Sequence, residues 1–314
     1  MLKIKKLISI VVPVFNEGEC IEETIRRLLK LQACLLSEVD IEMIFVDDGS
    51  MDNSISLLRT ASFDHPSIKV ILFTRNFGHQ IAITAGIDAA LGDYVAIIDA
   101  DLQDPPELIA DMYRLGLSGV DVIYGQRRSR AGETVFKKIS ATVFYKFINY
   151  MCDIEIPRDT GDFRLMSRRA VDAFKLLRER HRFIRGMIPW VGFKSAPLEY
   201  DRAERFAGKT KYPIRRMVAF ATNAVLSFSS KPLTMATRLG LFTILAGCVG
   251  GGYMLYLKIF TNIPVPGLTA ILLTIVLFGG VQIFLIGVIG QYISRIFEEV
   301  KGRPLYLIAE TINY

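Results

Sequence analysis

The sequence is short of the side chains that build thiolate and imidazole metal centres. It has three histidines and four cysteines in 314 residues. Cys20, Cys34, Cys152 and Cys248 are far apart, no pair has C-x-x-C spacing, and no histidine stands at zinc-ligand distance from them. Thiols so scattered read as unpaired cysteines of a reducing compartment, which sets aside disulfide scaffolds and structural zinc modules. A G-x-G-x-x-G after the first apolar run is also missing, and with it the main support for a dinucleotide-binding domain. The basic residues form no stripe interleaved with aromatics, so the formal net charge of +6 does not read as a nucleic-acid surface. It suits smaller anionic partners, such as nucleotides, lipid phosphates or an anionic leaflet. No cleavable leader is expected at the N-terminus. Met1–Lys6 is basic, but the apolar stretch Leu7–Phe15 contains Pro13 and ends at Asn16-Glu17, as a strand and its turn do.

What the sequence has in quantity is apolar surface, 51% of residues against 22% charged, enough for a packed core. Its character changes near Lys231. Before that point short β-branched runs alternate with amphipathic segments; after it come two stretches without charge, Leu239–Leu257 and Leu268–Ile293, separated by a turn at Pro264 and Pro266. Each is long enough to cross a hydrocarbon core. Lys209, Lys211, Arg215, Arg216, Lys231 and Arg238 precede the first, Arg295, Lys301 and Arg303 follow the second, and the connection offers only Lys258. The positive-inside rule then puts both termini and the N-terminal part in the cytoplasm of an inner or plasma membrane protein. Phe136–Met151 and Ile214–Phe228 carry apolar residues at helical spacing with basic ones at one end, a pattern that suits core-facing or interfacial helices; the second, just ahead of a span, reads as a helix lying in the membrane interface.

In the first 230 residues, Leu7–Val14, Ile41–Val46, Ile68–Phe73, Tyr94–Ile98 and Val120–Tyr124 read as buried strands. Asn16 with Glu19, and Asp104 with Glu107 around Pro105-Pro106, look like helix-capping pairs. The alternation predicts an α/β fold with a mostly parallel sheet covered on both faces, its ligands gathering at the carboxyl ends of the strands. The polar motifs fall at those ends. Strand one ends in VPVFNE (residues 12–17) and strand two in VDDGS (46–50), groups that can hydrogen-bond a base and ribose hydroxyls. The fourth ends in Asp99-Ala100-Asp101, and two carboxylates so placed can share Mg²⁺ or Mn²⁺ with a diphosphate.

With RNFGHQ (75–80), DADLQDPPEL (99–108) and TGDFRLMSR (160–168), these motifs resemble glycosyltransferase family 2, whose fold is GT-A, a Rossmann-like mostly parallel sheet. Two C-terminal spans narrow the resemblance to polyprenyl-phosphate glycosyltransferases, relatives of the dolichyl-phosphate mannose synthases. GQRRSRAGET (125–134) and GQYISRIFEEVKGRPLYLI (290–308) look most like the bactoprenol glucosyltransferases. The resemblance implies a catalytic domain over residues 1–210, an interfacial helix over 211–234, a transmembrane hairpin over 235–294 and a cytoplasmic tail over 295–314.

It also implies roles. Pro13, Asn16, Glu17 and Asp48 would line a nucleoside pocket, with Arg75 and Gly78 near the nucleotide. Asp99 would face ribose or metal, and Asp101 with Gln103 would hold the cation, Mg²⁺ or Mn²⁺. Asp162 and Arg164 would stand where donor sugar and acceptor phosphate meet. Arg127, Arg128, Arg205, Lys209 and Lys211 would hold phosphates.

The implied reaction moves a sugar, glucose from UDP-glucose in the first instance, to undecaprenyl or another polyprenyl phosphate, with inversion, in a homo-oligomer. It belongs to cell-envelope polysaccharide modification. GlcNAc, mannose or an amino sugar would need only small pocket changes. Whether Asp162 orients the sugar or serves as a base stays open at this level. A non-catalytic, membrane-tethered nucleotide-sugar binder is the alternative from another class, and intact Asp99, Asp101, Asp162 and Arg164 speak against it. A processive synthase would need more spans and a Q-x-x-R-W motif, and neither is present.

Overall fold

In the computed structural model, which describes residues 5–128, 151, 160–201, 225–227, 229–260 and 267–314, the five expected strands form, and three more join them. β1 (Lys6–Val14), β2 (Val39–Asp47), β3 (Ile68–Phe73), β4 (Tyr94–Ile97), β5 (Val122–Arg127), β6 (Thr160–Ser167), β7 (Ser195–Tyr200) and β8 (Ile308–Ile312) make one sheet in the order β7-β5-β6-β4-β1-β2-β3-β8. β4-β1-β2-β3 are parallel, and β5 and β7 also pair in parallel. β6 runs antiparallel to β4 and β5, and β8 antiparallel to β3. The arrangement is the expected α/β, GT-A-type sheet, mixed and mostly parallel.

The central strands are apolar on both faces because helices cover both. On one side α1 (Ile21–Leu35) buries Ile21, Ile25, Leu28, Leu31 and Leu35, a stripe at helical spacing. Each such side chain contributes about 1.5–3 kcal/mol relative to exposure. α2 (Ser54–Asp64) and α4 (Leu108–Leu117) pack on the same core. On the other side α3 (His79–Ala89), α5 (Arg168–Lys175) and α6 (Ile184–Val191) cover Val11, Ile44, Val46, Ile71 and Val95. α3 lies close to β1 at Gly86, where a Cβ would stand 2.2 Å from a methyl of Val11.

The two capping pairs are not formed. α1 starts without a side-chain cap; the Glu17 carbonyl accepts the Cys20 and Ile21 amides. α4 starts with the Pro105 and Pro106 carbonyls accepting from Leu108 and Ile109. Asn16 and Asp104 are engaged elsewhere, as described below.

α7 (Lys231–Phe260) and α8 (Leu268–Val300) are the expected long apolar helices, and Leu241, Phe242, Ile244, Ile283 and Phe284 all point outward. Apolar surface on that scale suggests association with lipid. At 33 residues α8 is roughly 50 Å long, against a hydrocarbon core of about 30 Å. In its last turns Glu299 accepts the Arg180 amide and Glu298 pairs with His181 at 2.9 Å.

The chain after α8 is not a loose tail. Tyr306 stacks on Phe73 with ring centroids 5.3 Å apart and donates its hydroxyl to Asp88, and the next residues add β8 to the sheet edge. Asn313 then caps the Ser62 and Ile68 carbonyls. The expected helical segments Phe136–Met151 and Ile214–Phe228 lie almost wholly outside the described residues, and Arg205, Lys209 and Lys211 lie wholly outside them.

Candidate active site

Parallel pairing brings three polar strand ends to one edge, since Val14 stands opposite Asp47 and Val11 opposite Ile97. A cavity of ≈ 320 Å³ opens there. Of the residues expected to bind nucleotide or metal, Pro13, Glu17, Asp48, Gly78, Asp99 and Asp101 line it, together with Phe15, Asn76 and His79, which sequence reasoning did not assign.

The edge is built by local hydrogen bonding. Asp47 folds the turn after β2 by accepting the Gly49 and Ser50 amides. Gly49 has φ +75, and a Cβ on it would meet the backbone of Arg75 and Asn76 at 2.7 Å, so this position needs glycine. Asp48 accepts the Phe77 and Gly78 amides and thereby holds the RNFGHQ loop against the cavity. Burial raises its pKa, partly offset by those amides. Asn16 has φ 54, a left-handed conformation that asparagine tolerates, and accepts the Met51 amide, tying the loops after β1 and β2 together. It does not line the cavity. Nor does Arg75, which lies over the Phe77 ring at 4.0 Å.

A second group stands beside Asp99. Antiparallel pairing of β4 and β6 sets Ile97 opposite Arg164, which carries Asp162 to the neighbourhood of Asp99. Asp162 is buried. Arg185, at the start of α6, donates to it from Nε at 2.9 Å and from Nη2 at 3.1 Å. His79 Nε2 stands 3.3 Å from its Oδ2 and 3.5 Å from Asp99 Oδ1. Gln80 donates to Asp162 from Nε2 and accepts the Ile184 amide, fixing α3 to α6.

Burial opposes the charges here, and the ion pairs outweigh it. Asp162 is held well below the carboxylate range by Arg185 and His79, and His79 is lifted to about 9 by its bond to Asp162 and the nearby Asp99. Asp99 goes the other way: burial, reinforced by its acidic neighbours and opposed by His79, pushes it to about 6.

The expected phosphate-holding arginines fare unevenly. Arg164 is buried and turns back on its own strand, donating to the Gly161 and Asp162 carbonyls. It braces the start of β6 and does not line the cavity. Arg127 lies over Gly161 and 3.9 Å from Asp104, which also accepts from the Tyr200 hydroxyl. Arg128 is exposed and paired with Glu199 at 3.2 Å.

The donor set fits a hard divalent cation. Asp99 Oδ1 is a buried carboxylate oxygen without a hydrogen-bond donor, and Asp101 lines the same cavity with its Oδ1 oriented by the Gln103 amide. Among the described residues no three acidic, histidine or cysteine side chains converge as a complete metal site. Asp99 and Asp101 would supply two oxygens, with the remaining positions left to phosphate and water. Gln103 meets Asp101 through its backbone.

In the group around Asp162, His79, Gln80 and Arg185 carry no assignment from the sequence. The signal for His79 was in the RNFGHQ motif, whose last two residues were given no role. Nothing local marked Arg185; its partner is 23 residues away across the fold.

Residues 9–174, more than half of the chain, match the family described as Glycosyl transferase family 2. The chain is 46% identical to "Uncharacterized glycosyltransferase YkcC" of Bacillus subtilis (strain 168), over 96% of this chain and 93% of that protein. It is 39% identical to the SfII prophage-derived bactoprenol glucosyl transferase of Shigella flexneri, over 97% and 98% of the two. With the prophage bactoprenol glucosyl transferase homolog of Escherichia coli (strain K12) the identity is 38%, over 96% and 98%. Among solved structures, glucosyl-3-phosphoglycerate synthase from Mycobacterium tuberculosis is 20% identical over 70% of this chain and 78% of that one at a TM-score of 0.44, too loose a likeness to bear an argument.

Proposed function

The chain belongs to glycosyl transferase family 2, and on that footing we propose that it transfers glucose from UDP-glucose to a polyprenyl phosphate at the cytoplasmic face of a membrane, with inversion. The observation that carries this reading is similarity over nearly the whole chain, apolar helices included, to proteins named bactoprenol glucosyl transferase. A binder of nucleotide-sugars alone would need the cavity but not the charged group built behind it around Asp162.

The chemistry asks little of a base. A phosphomonoester has a second pKa of about 6, so much of it is already dianionic at neutral pH. One of its oxygens bonds to the anomeric carbon, the bond from that carbon to the UDP β-phosphate oxygen breaks, and the electron pair leaves with UDP. The cavity walls from β1 and β2 hold the nucleoside, with Asp48 and Glu17 as acceptors for its hydroxyls and base edge. A divalent cation held by Asp99 and Asp101 would supply positive charge against the departing diphosphate. The chain's own task is to bring a second anion close to the first, which needs fixed cations on the acceptor side. The basic residues flanking α7 and α8 support a cytoplasmic location for this site, on the side where nucleotide-sugars are found.

The test is incubation of the purified full-length protein with undecaprenyl phosphate and, separately, UDP-glucose, UDP-GlcNAc, GDP-mannose and an amino-sugar donor. A lipid product heavier by one hexose with UDP-glucose is expected. A product only with another donor would replace glucose, and UDP-glucose binding without any product would favour the binder.

A further inference from the structure

We propose that Arg185, held by Asp162 and flanked by His79, forms the wall that receives the acceptor phosphate, and that Asp162 is its anchor and not a general base. This rests on the transferase reading above and assigns the acceptor half of that site.

The geometry places the carboxylate behind both side chains. The Asp162 side chain is 2% exposed, whereas His79 is 45% and Arg185 28% exposed. A ligand approaching from solvent meets imidazole and guanidinium first. Both Asp162 oxygens are already engaged: Oδ1 accepts from Arg185 Nε, and Oδ2 faces Arg185 Nη2, His79 Nε2 and Gln80 Nε2 within 3.3 Å. A base must present an oxygen lone pair to the acceptor, and this carboxylate presents its lone pairs to the protein.

The same contacts hold both side chains in place. Gln80 ties the first turn of α3 to the first turn of α6, so the helices carrying His79 and Arg185 are fixed to each other and to β6. Because His79 also stands beside Asp99, the wall adjoins the carboxylate pair that faces the donor diphosphate. An acceptor phosphate held there sits next to the leaving group, with the Arg185 guanidinium to offset the repulsion. Arg164 differs from Arg185 in burial: its side chain is 4% exposed and its guanidinium is turned onto the backbone of its own strand.

The test uses full-length protein in detergent. Transfer is measured against varied undecaprenyl phosphate, UDP affinity by calorimetry, and farnesyl phosphate serves as a phosphomonoester probe in melting experiments with UDP present. Arg185→Gln and His79→Ala should raise the lipid-phosphate KM at least tenfold and abolish stabilisation by farnesyl phosphate. UDP affinity should stay within about threefold in both. Arg185→Lys should recover part of the lost lipid affinity, which a purely structural role would not show. Asp162→Asn should raise the same KM without altering the acid limb of the rate profile.

A fall in kcat of a thousandfold or more in Asp162→Asn, with lipid KM and the farnesyl phosphate response intact, would make Asp162 the base and overturn the proposal. Loss of UDP binding in Arg185→Gln or His79→Ala, with the farnesyl phosphate response intact, would overturn it too, by assigning these residues to the nucleotide. Failure of the unsubstituted protein to glucosylate any polyprenyl phosphate would refute the transferase reading instead. The farnesyl phosphate arm still decides the phosphate site at Arg185 in that case.

Discussion

Tyr306→Ala tests whether the segment after α8 is a strap that fastens the two long apolar helices to the sheet. Tyr306 stacks on Phe73 and donates to Asp88, which Arg178 also grips at 2.9 Å. The stack is worth about 0.5–1.5 kcal/mol beyond area burial, and a hydrogen bond to a charged partner about 1.5–3 kcal/mol. Truncation to alanine should therefore make local opening of the strap easier by about 3 kcal/mol. Each 1.4 kcal/mol is about a factor of ten, so the amides of Ile308–Ile312 should exchange with solvent about a hundredfold faster, while β1 and β2 hardly change. Hydrogen exchange read by mass spectrometry on the full-length protein resolves such a difference. Tyr306→Phe keeps the stack, loses the hydroxyl, and should fall about halfway. If exchange in β8 changed less than threefold in Tyr306→Ala, the side chain would not be fastening the strand, and the strap would owe its stability to the ladder with β3 alone.

Four further outcomes are expected. Asp101→Asn should lower transfer by two decades or more with the melting temperature nearly unchanged, and excess EDTA should silence the unsubstituted protein; full activity in EDTA would contradict the cation reading. Gly49→Ala should cost about 1–2 kcal/mol for its left-handed backbone and, by pushing on residues 75–76, weaken UDP-glucose binding tenfold or more by calorimetry. Glu42 is buried, and although burial alone would raise its pKa, bonds from Lys69, Ser9 and the Leu91 amide hold it below the ordinary 4.5; its stabilisation is complete above that value and is lost as pH falls through the depressed one, so Glu42→Gln should lower the melting temperature at pH 7 and flatten its acid dependence, and an unchanged acid profile would count against this network. In a cysteine-free background, a cysteine at Asn262 should label from outside spheroplasts and one at Glu310 should not, and the reverse pattern would overturn the topology.

The five strands that could be read from the sequence are continuous apolar runs buried on both faces, the pattern that local composition reports best. β6 was not legible because its buried residues include Asp162 and Arg164, polar groups that only the assembled site can satisfy. β7 and β8 are edge strands, short and largely exposed, and their pairing partners are distant in sequence. The capping pairs failed for a related reason: Asn16 and Asp104 had the right spacing, but longer-range partners, the Met51 amide and the Tyr200 hydroxyl, claimed them. On the nucleotide and metal side, motifs at strand ends pointed to the cavity directly. The grouping of His79 and Arg185 around Asp162 was not legible, because it is made by contacts joining α3, β6 and α6, which no single stretch of sequence contains.

The most direct measurement of the central claim is the linkage in the product. Lipid isolated from a reaction of the purified protein with undecaprenyl phosphate and UDP-glucose would be examined by ³¹P and ¹H NMR. Attack by the acceptor phosphate predicts a single phosphodiester joining glucose to the lipid, with the anomeric configuration opposite to that of the α-linked donor. A retained configuration, or glucose attached anywhere but to the lipid phosphate, would contradict the account.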